Sequence, residues 1–231
     1  MPKNPLAIFL LIFVFCTAAL GQDRYRAERQ QMVNVQIKQR GVEDLSTLVA
    51  MKTVPRHQFV PQDQEAYAYE DRPLPIGYGQ TISQPYIVGY MTDALSLDAQ
   101  DKVLEVGTGS GYQAAVLSEI VNSVFTIEIV AELATTSASR LNDLGYANVF
   151  VKYADGYHGW EEHGPFDAIM VTAASEFIPP PLIEQLKDGG KMIIPVGSPY
   201  SVQHLVLVTK SGSEVRTKNL LPVRFVPFTR N

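Results

Sequence analysis

The chain has 231 residues, of which 46% are hydrophobic and 19% charged, and its net charge is −5 at pH 7. This is the composition of an ordinary globular protein with a sizeable core, long enough for one large α/β domain or one domain with an extension. It excludes low-complexity and repeat architectures, and the acidic balance leaves no basic footprint for nucleic acid. Residues 1–21 stand apart from the rest. Lys3 forms a positive n-region, Leu6 to Leu20 is apolar apart from Thr17, and Ala19 and Gly21 occupy the −3 and −1 positions of a cleavage site. That is the anatomy of a secretory signal peptide, and the apolar run is short for a membrane span of about 20 residues. The mature chain is expected to begin at Gln22, with 18 basic and 24 acidic residues and a net charge of −6. Export is expected, with an uncleaved anchor or a cytoplasmic chain as the alternatives. Cys16, the single cysteine, lies in the segment to be removed, and Phe15 before it is too bulky for a lipoprotein site. A chain without thiols neither supports nor opposes export.

Asp23 to Arg40 reads as an amphipathic helix with Met32, Val35 and Ile37 on one face and Gly41 as its C-cap. Asp44 is expected to cap a short helix through Met51, ended by Pro55. Pro55 to Pro61 is a loop, and its His57 is read as a structural histidine bonded to backbone. Tyr67 to Gly79 is too rich in Tyr, Pro and Gly for a long helix. Ser83 is placed as the N-cap of a helix through Ile87, Met91 and Leu95, with Pro85 in its first turn. A helix start of this kind favours an anion, although a plain capping role explains Ser83 equally well. Residues 22–98 are therefore expected as a helical extension, and residues 99–231 as an α/β core.

In that core Val103 to Val106 is a buried strand with Glu105 as its one polar residue. Gly107, Gly109 and Gly111 form a tight turn, and Gln113 to Val121 is a helix. Strands follow at Ser123–Ile129, Asn148–Tyr153, Phe166–Ala173 and Lys191–Val196. Between them are helices from Ala131 to Leu144, and from Pro179 to Leu186 with Gly189-Gly190 ending the latter. Two more strands, His204–Lys210 and a run within Glu214–Phe228, have no helix between them. The pattern predicts a doubly wound, Rossmann-like, mostly parallel sheet with an antiparallel C-terminal end.

A dinucleotide fingerprint needs G-x-G-x-x-G, but here the third glycine is Gly111 and Tyr112 follows it, giving G-x-G-x-G. A ligand without a pyrophosphate suits this turn better, and S-adenosylmethionine is the usual one. Glu128 ends the next strand, 17 residues after Gly111, where a carboxylate can accept both ribose hydroxyls. Asp155 ends the strand after that, where an adenine amino group would lie. Each acid alone reads as a solvated strand end. Together with Glu105 and the glycines they predict an adenosyl-ligand site.

From about Met32 to Arg230 the chain resembles the protein-L-isoaspartate O-methyltransferases. The residues that carry the resemblance are Val54–Pro61, Gly79–Pro85, Val103–Tyr112, Asp155-Gly156, Phe166–Ile169 and Leu186–Lys191. Many methyltransferases share the glycine turn, whereas Thr81-Ile82-Ser83-x-Pro85 is far more specific. The resemblance implies methyl transfer from S-adenosylmethionine to the free α-carboxyl of L-isoaspartyl residues in damaged proteins. The ester would then close to a succinimide and reopen in part to aspartate. It puts the active-site serine at Ser83, with Thr81, Ile82 and Val88 on the substrate side. It puts the cofactor at Glu105, Gly107, Thr108, Gly109, Gly111, Glu128, Asp155, Gly156 and Thr229. Val88 stands where some members have histidine, so a histidine there is not essential. No metal is expected, because the four histidines show no ligand spacing. The expected partners are isoaspartyl proteins and peptides, with no nucleic acid and no stable membrane association after cleavage, and the chain is expected to be a monomer.

The nucleophile is a carboxylate with a pKa of roughly 3.5, so no strong base is required. The N-terminal helices and the Tyr67–Gly79 loop are expected to form a substrate lid, with Tyr67, Tyr69 and Tyr78 either on a peptide or in the core. Trp160 is expected to pack a loop near His158 and His163. Three other readings stay open. A methyltransferase for a small molecule is opposed by Thr81–Pro85, and a nicotinamide oxidoreductase by Tyr112. A module that binds without turnover is suggested by the export signal, since the cofactor is made inside the cell.

Overall fold

The computed structural model of the chain describes residues 25–198 and 200–230, so the signal peptide expected at residues 1–21 lies outside the described residues. Seven strands form one sheet: β3 (Lys102–Val106), β4 (Ser123–Glu128), β5 (Val149–Tyr153), β6 (Phe166–Val171), β7 (Leu186–Val196), β8 (Gln203–Ser211) and β9 (Glu214–Val223). A separate antiparallel ribbon pairs β1 (Leu74–Gly77) with β2 (Gln80–Ile82). The sheet order is β5-β4-β3-β6-β7-β8-β9. The first five in that order are parallel, and β8 and β9 each run antiparallel to the strand before. The chain winds outward from β3 to β5 and then returns to the other side of β3 as β6. The strand order therefore reverses between β3 and β6, and the crevice at their C-terminal ends is where open α/β sheets bind ligands.

The central strands are buried on both faces, which is why β3, β4 and β6 read as near-continuous apolar runs. Alternate residues feed different cores. Val103 faces a cluster with Met51, Val88, Met91 and Tyr112, so the N-terminal extension packs on that face. Leu104 and Val106 face a cluster with Phe125, Phe166 and Leu182. The helices are α1 (Leu45–Thr53), α2 (Pro85–Leu95), α3 (Tyr112–Ser118), α4 (Ala131–Asp143) and α5 (Pro180–Glu184). No helix among the described residues is long and apolar enough to cross a membrane.

Several local expectations hold. Asp44 caps α1 by accepting the Thr47 N–H at 2.7 Å, and Gly41 ends the preceding helical segment at φ 93°. Two need correction. Residues 25–31 are helical, but Met32–Ile37 widens into a π turn and Lys38–Arg40 tightens to 3-10. The wider winding buries Met32, Val33 and Ile37 together and leaves Val35 48% exposed, so Val35 is not on the core face. Gly189 and Gly190 do not end a helix. Helix α5 stops at Glu184, and both glycines lie inside β7, where the register with β6 shifts between Phe166 and Ala168. A Cβ on Gly190 would stand 2.9 Å from Lys187 O and 3.0 Å from Asp167 O. Glycine here marks a bulge, not a stop.

Candidate active site

Strand β3 delivers the chain into the glycine turn at Val106. Gly107, Gly109 and Gly111 all take positive φ (101°, 54° and 88°), a region that costs glycine nothing. The turn is tied to β4 by Gly107 and Thr108, whose N–H groups donate to Ile127 O at 2.8 and 3.2 Å. On the other side the Thr172 hydroxyl, just past β6, donates to Gly107 O at 2.7 Å and Val106 O at 3.0 Å. A Cβ on Gly107 would meet that hydroxyl at 2.3 Å. From above, Ile76 of the β1–β2 ribbon comes within 3.3 Å of where a Gly109 Cβ would be.

Beneath the turn, Thr108 and Thr126 share a hydroxyl hydrogen bond of 2.6 Å, and Thr126 donates to Glu105 Oε2. Glu105 is fully buried and its Oε1 has no partner. Burial pushes its carboxyl up to about 8, with the Thr126 hydrogen bond opposing and the charge of Glu128 adding to the rise. Glu105 thus supports the turn from below through two threonines and lines none of the three cavities at the site. Glu128 does line one. Its Oε2 accepts the Gly109 N–H at 2.7 Å, and its Oε1 accepts the Ile129 and Val130 N–H groups at 2.9 Å each.

Those three cavities converge here. One of about 430 Å³ lies between Ser83 and the stretch from Pro222 to Val226. A second, of about 70 Å³, is lined by Gly107, Gly109, Glu128, Gly156 and Thr229. A third, of about 40 Å³, brings Ile82, Ser83 and Val88 against Thr108 and Gly109. Thr81 and Thr172 line all three.

Most of the residues expected from the sequence are therefore gathered in one place, with three exceptions. Glu105 is underneath. Gly111 packs on Leu141, 3.1 Å from where its Cβ would be. Asp155 is turned to the C-terminal segment, with Oδ2 2.8 Å from Arg230 Nε and Oδ1 accepting the Tyr157 N–H. Burial alone would raise the Asp155 carboxyl, but Arg230 and the Tyr157 N–H hold it below the usual range. The Arg230 guanidinium also lies 3.6 Å from the Tyr157 ring centroid.

Ser83 is not the N-cap of α2. Gln84 occupies that position without a side-chain cap, and Pro85 opens the helix as expected. The cap comes from a distance: Asp71 Oδ1 accepts the Tyr86 N–H at 3.1 Å, and Asp71 Oδ2 accepts Gln84 Nε2 at 2.7 Å. Pro85 has no N–H and that of Tyr86 is taken, so the start of α2 has less to offer an anion than its sequence implies. Ser83 instead holds its carbonyl toward Arg56 Nη2 at 2.8 Å and lines the cavities.

His57 lies outside this constellation, as the structural reading has it, though its bond is to a side chain: Nδ1 is 2.7 Å from the Tyr69 hydroxyl, and the ring stacks on Tyr25 at 4.1 Å. Burial lowers its pKa. Tyr69 is core, whereas Tyr67 and Tyr78 are exposed. Trp160 packs against Phe125 and His163. Sequence reasoning missed Thr172, Arg56, Asp71 and Arg230. Thr172 alone left a signal, as a hydroxyl at the C-terminal end of a buried strand.

A reversing parallel sheet with a G-x-G-x-G turn at its switch point and a carboxylate on the adjacent strand end defines a Rossmann-like methyltransferase fold. A family model described as Protein-L-isoaspartate(D-aspartate) O-methyltransferase (PCMT) matches residues 27–231. A protein-L-isoaspartate O-methyltransferase of Opitutus terrae is 54% identical over 226 residues, 97% of each chain. One of Syntrophobacter fumaroxidans is 53% identical over 245 residues, 99% of each chain. Among solved structures, a protein-L-isoaspartate O-methyltransferase superposes with a TM-score of 0.80 at 30% identity, covering 86% of this chain and 65% of that longer one. A Plasmodium falciparum structure described as the same enzyme, in complex with S-adenosyl-L-homocysteine, gives a TM-score of 0.74 at 25% identity, over 88% of this chain and 99% of that one. The chain belongs to the protein-L-isoaspartate O-methyltransferase family.

Proposed function

We propose that this chain methylates the free α-carboxyl of L-isoaspartyl residues in damaged proteins, using S-adenosylmethionine. The observation that carries the reading is the convergence of the three cavities at Thr81 and Thr172, with the glycine turn on one side and Ser83 on the other. The residues present suit an adenosyl ligand. Gly107 and Gly109 leave backbone bare at the turn, and Glu128 is the carboxylate beside them, positioned to accept ribose hydroxyls. Thr229 and Gly156 wall the far end of the same cavity. Asp155 lies outside this cavity's lining, held toward Arg230 and the Tyr157 N–H. When bound, S-adenosylmethionine supplies a sulfonium methyl.

The chain's own part is orientation and exclusion of water. An isoaspartyl α-carboxylate, with a pKa of roughly 3.5, is already ionised at neutral pH. Ser83 donates a hydrogen bond that fixes which oxygen faces the glycine turn, and Thr81, Ile82 and Val88 close the space around it. Holding a charged nucleophile in line in a dry site accounts for the rate without a general base. Of the described residues, 25–98 form the substrate side, with the exposed Tyr78 in the β1–β2 turn, and those from 99 onward form the cofactor side.

A methyl-transfer assay on paired isoaspartyl and aspartyl peptides, with the chain from Gln22, tests this. Incorporation into the isoaspartyl peptide alone is expected, and no incorporation would overturn it. Ser83→Ala should lower turnover about 10- to 100-fold, the worth of one hydrogen bond to a charged group. Unchanged turnover would remove Ser83 from the reaction. We infer export from the residue pattern of 1–21. Mass determination of the chain recovered from the exported fraction should place the N-terminus at Gln22, and a chain found only inside the cell with Met1 intact would sink that inference.

A further inference from the structure

Arg56 heads the fully buried side chains by size, and the bonds it makes are to carbonyls, not to a carboxylate. Its Nε donates to Ala68 O and its Nη2 to Ser83 O, both at 2.8 Å, while Nη1 has no partner. The guanidinium carbon lies 4.8 Å from the Tyr112 ring centroid. Burial lowers its pKa to about 10, which leaves it cationic at neutral pH. A well-packed apolar side chain would fill such a place at lower cost in stability, so packing alone does not account for an arginine there.

Two of the three things it touches are walls of the site. Ala68 closes the 3-10 turn Gln62–Tyr67 ahead of the β1–β2 ribbon, Ser83 is the turn before α2, and Tyr112 opens α3 directly after the glycine turn. Ser83 and Tyr112 both line the small cavity against the glycines. Arg56 holds the Ser83 carbonyl from the core side, while Asp71 holds Gln84 and Tyr86 from outside. The backbone of Ser83 is thus gripped on both flanks and its side chain is left to the cavities. We propose that Arg56 is a positioning residue of the methyl-transfer site, setting the Ser83 hydroxyl relative to the glycine turn by fixing the Ser83 carbonyl against Tyr112. This rests on the proposed function. It is a role for the planar fork, which a point charge cannot fill.

The test is Arg56→Lys in the full mature chain, read as a split between chemistry and cofactor binding. A lysine keeps the charge but cannot reach Ala68, Ser83 and the Tyr112 face together. The expected result is a fall in kcat on isoaspartyl peptide on the order of 10²-fold, the effect of a roughly 1 Å misplacement. Affinity for S-adenosylhomocysteine by titration calorimetry should be unchanged. Wild-type kcat in the variant, or calorimetric affinity falling in step with kcat, overturns the proposal. Hydrogen exchange on the wild-type chain decides the matter even where the variant does not fold. The amides of Tyr86 and Val88, which donate to Asp71 Oδ1 and Gln84 O, should exchange as slowly as those of β3, and fast exchange there overturns the proposal. Turnover of wild type on the same peptide tests the functional reading separately, and exchange tests the grip of Arg56 without it.

Discussion

The two sides of this site are held by different means. The glycine turn hangs from strand ends that the sheet fixes by backbone pairing, with Val106 in register with Ile127 on one side and Val171 on the other. The Ser83 turn lies outside the sheet and follows only a two-stranded ribbon, whose last pair is Leu74 with Ile82. It is held by side chains from earlier in the chain, Arg56 27 positions away from Ser83 and Asp71 15 positions away from Tyr86. A site fixed by backbone is damaged by adding atoms, and one fixed by side chains is damaged by removing them. The Arg56 and Ser83 experiments remove; the sheet side calls for the opposite kind of change.

The largest effect should come from Gly107→Ala. Its φ of 101° costs an alanine about 1–3 kcal/mol before Thr172, 2.3 Å from the new Cβ, has been displaced. Denaturant unfolding should show that loss, and S-adenosylhomocysteine binding should disappear. A variant as stable as wild type would mean the turn yields where the contacts say it cannot.

A smaller effect should separate Glu105→Gln from wild type, and only at higher pH. The buried carboxyl titrates at about 8 when folded and at 4.5 when unfolded, so between those values the folded state holds a proton that the unfolded state has lost. Stability contributed by Glu105 is therefore present at low pH and declines as pH rises through about 8, by up to a few kcal/mol. Urea midpoints should fall from pH 5 to pH 8 in wild type and much less in the variant. Parallel profiles would show that Glu105 is not the neutral prop beneath the turn.

The smallest effect is expected at the rim. Arg230→Ala removes an ion pair whose arginine is 43% exposed and whose aspartate is 13% exposed, and should change stability by about 1 kcal/mol. It also frees Asp155, so S-adenosylhomocysteine should bind a few-fold more tightly by calorimetry. Unchanged or weaker binding would take Asp155 out of the adenine's surroundings.

Much of this fold is legible because its signals are local. Apolar runs between turn residues mark β3, β4 and β6, Pro85 marks the start of α2, and the glycine turn and Glu128 sit at strand ends that the pattern itself locates. What escaped reading depends on residues far apart in sequence. The Tyr86 N–H looks free until Asp71 is seen to cap it. Val35 looks apolar and inward until packing widens the helix around it. Gly189-Gly190 has the form of a helix stop because glycine serves stops and bulges alike, and only the register with β6 separates the two. Arg56 carries no local sign of burial, since the carbonyls that receive it lie 12 and 27 residues away.

Two hydroxyls, Thr81 and Thr172, stand where the cavities meet. Neither carries a charge at any working pH. In the proposed reaction a cation and an anion approach each other across this point. A charged wall residue 4 Å from either would contribute about 4 kcal/mol of pairing energy at an effective dielectric constant of about 20, and would hold that reactant back. A threonine wall sets up no such competition. It acts as an electrical spacer, leaving Ser83 to orient the anion and the reactants' own charges to draw them together.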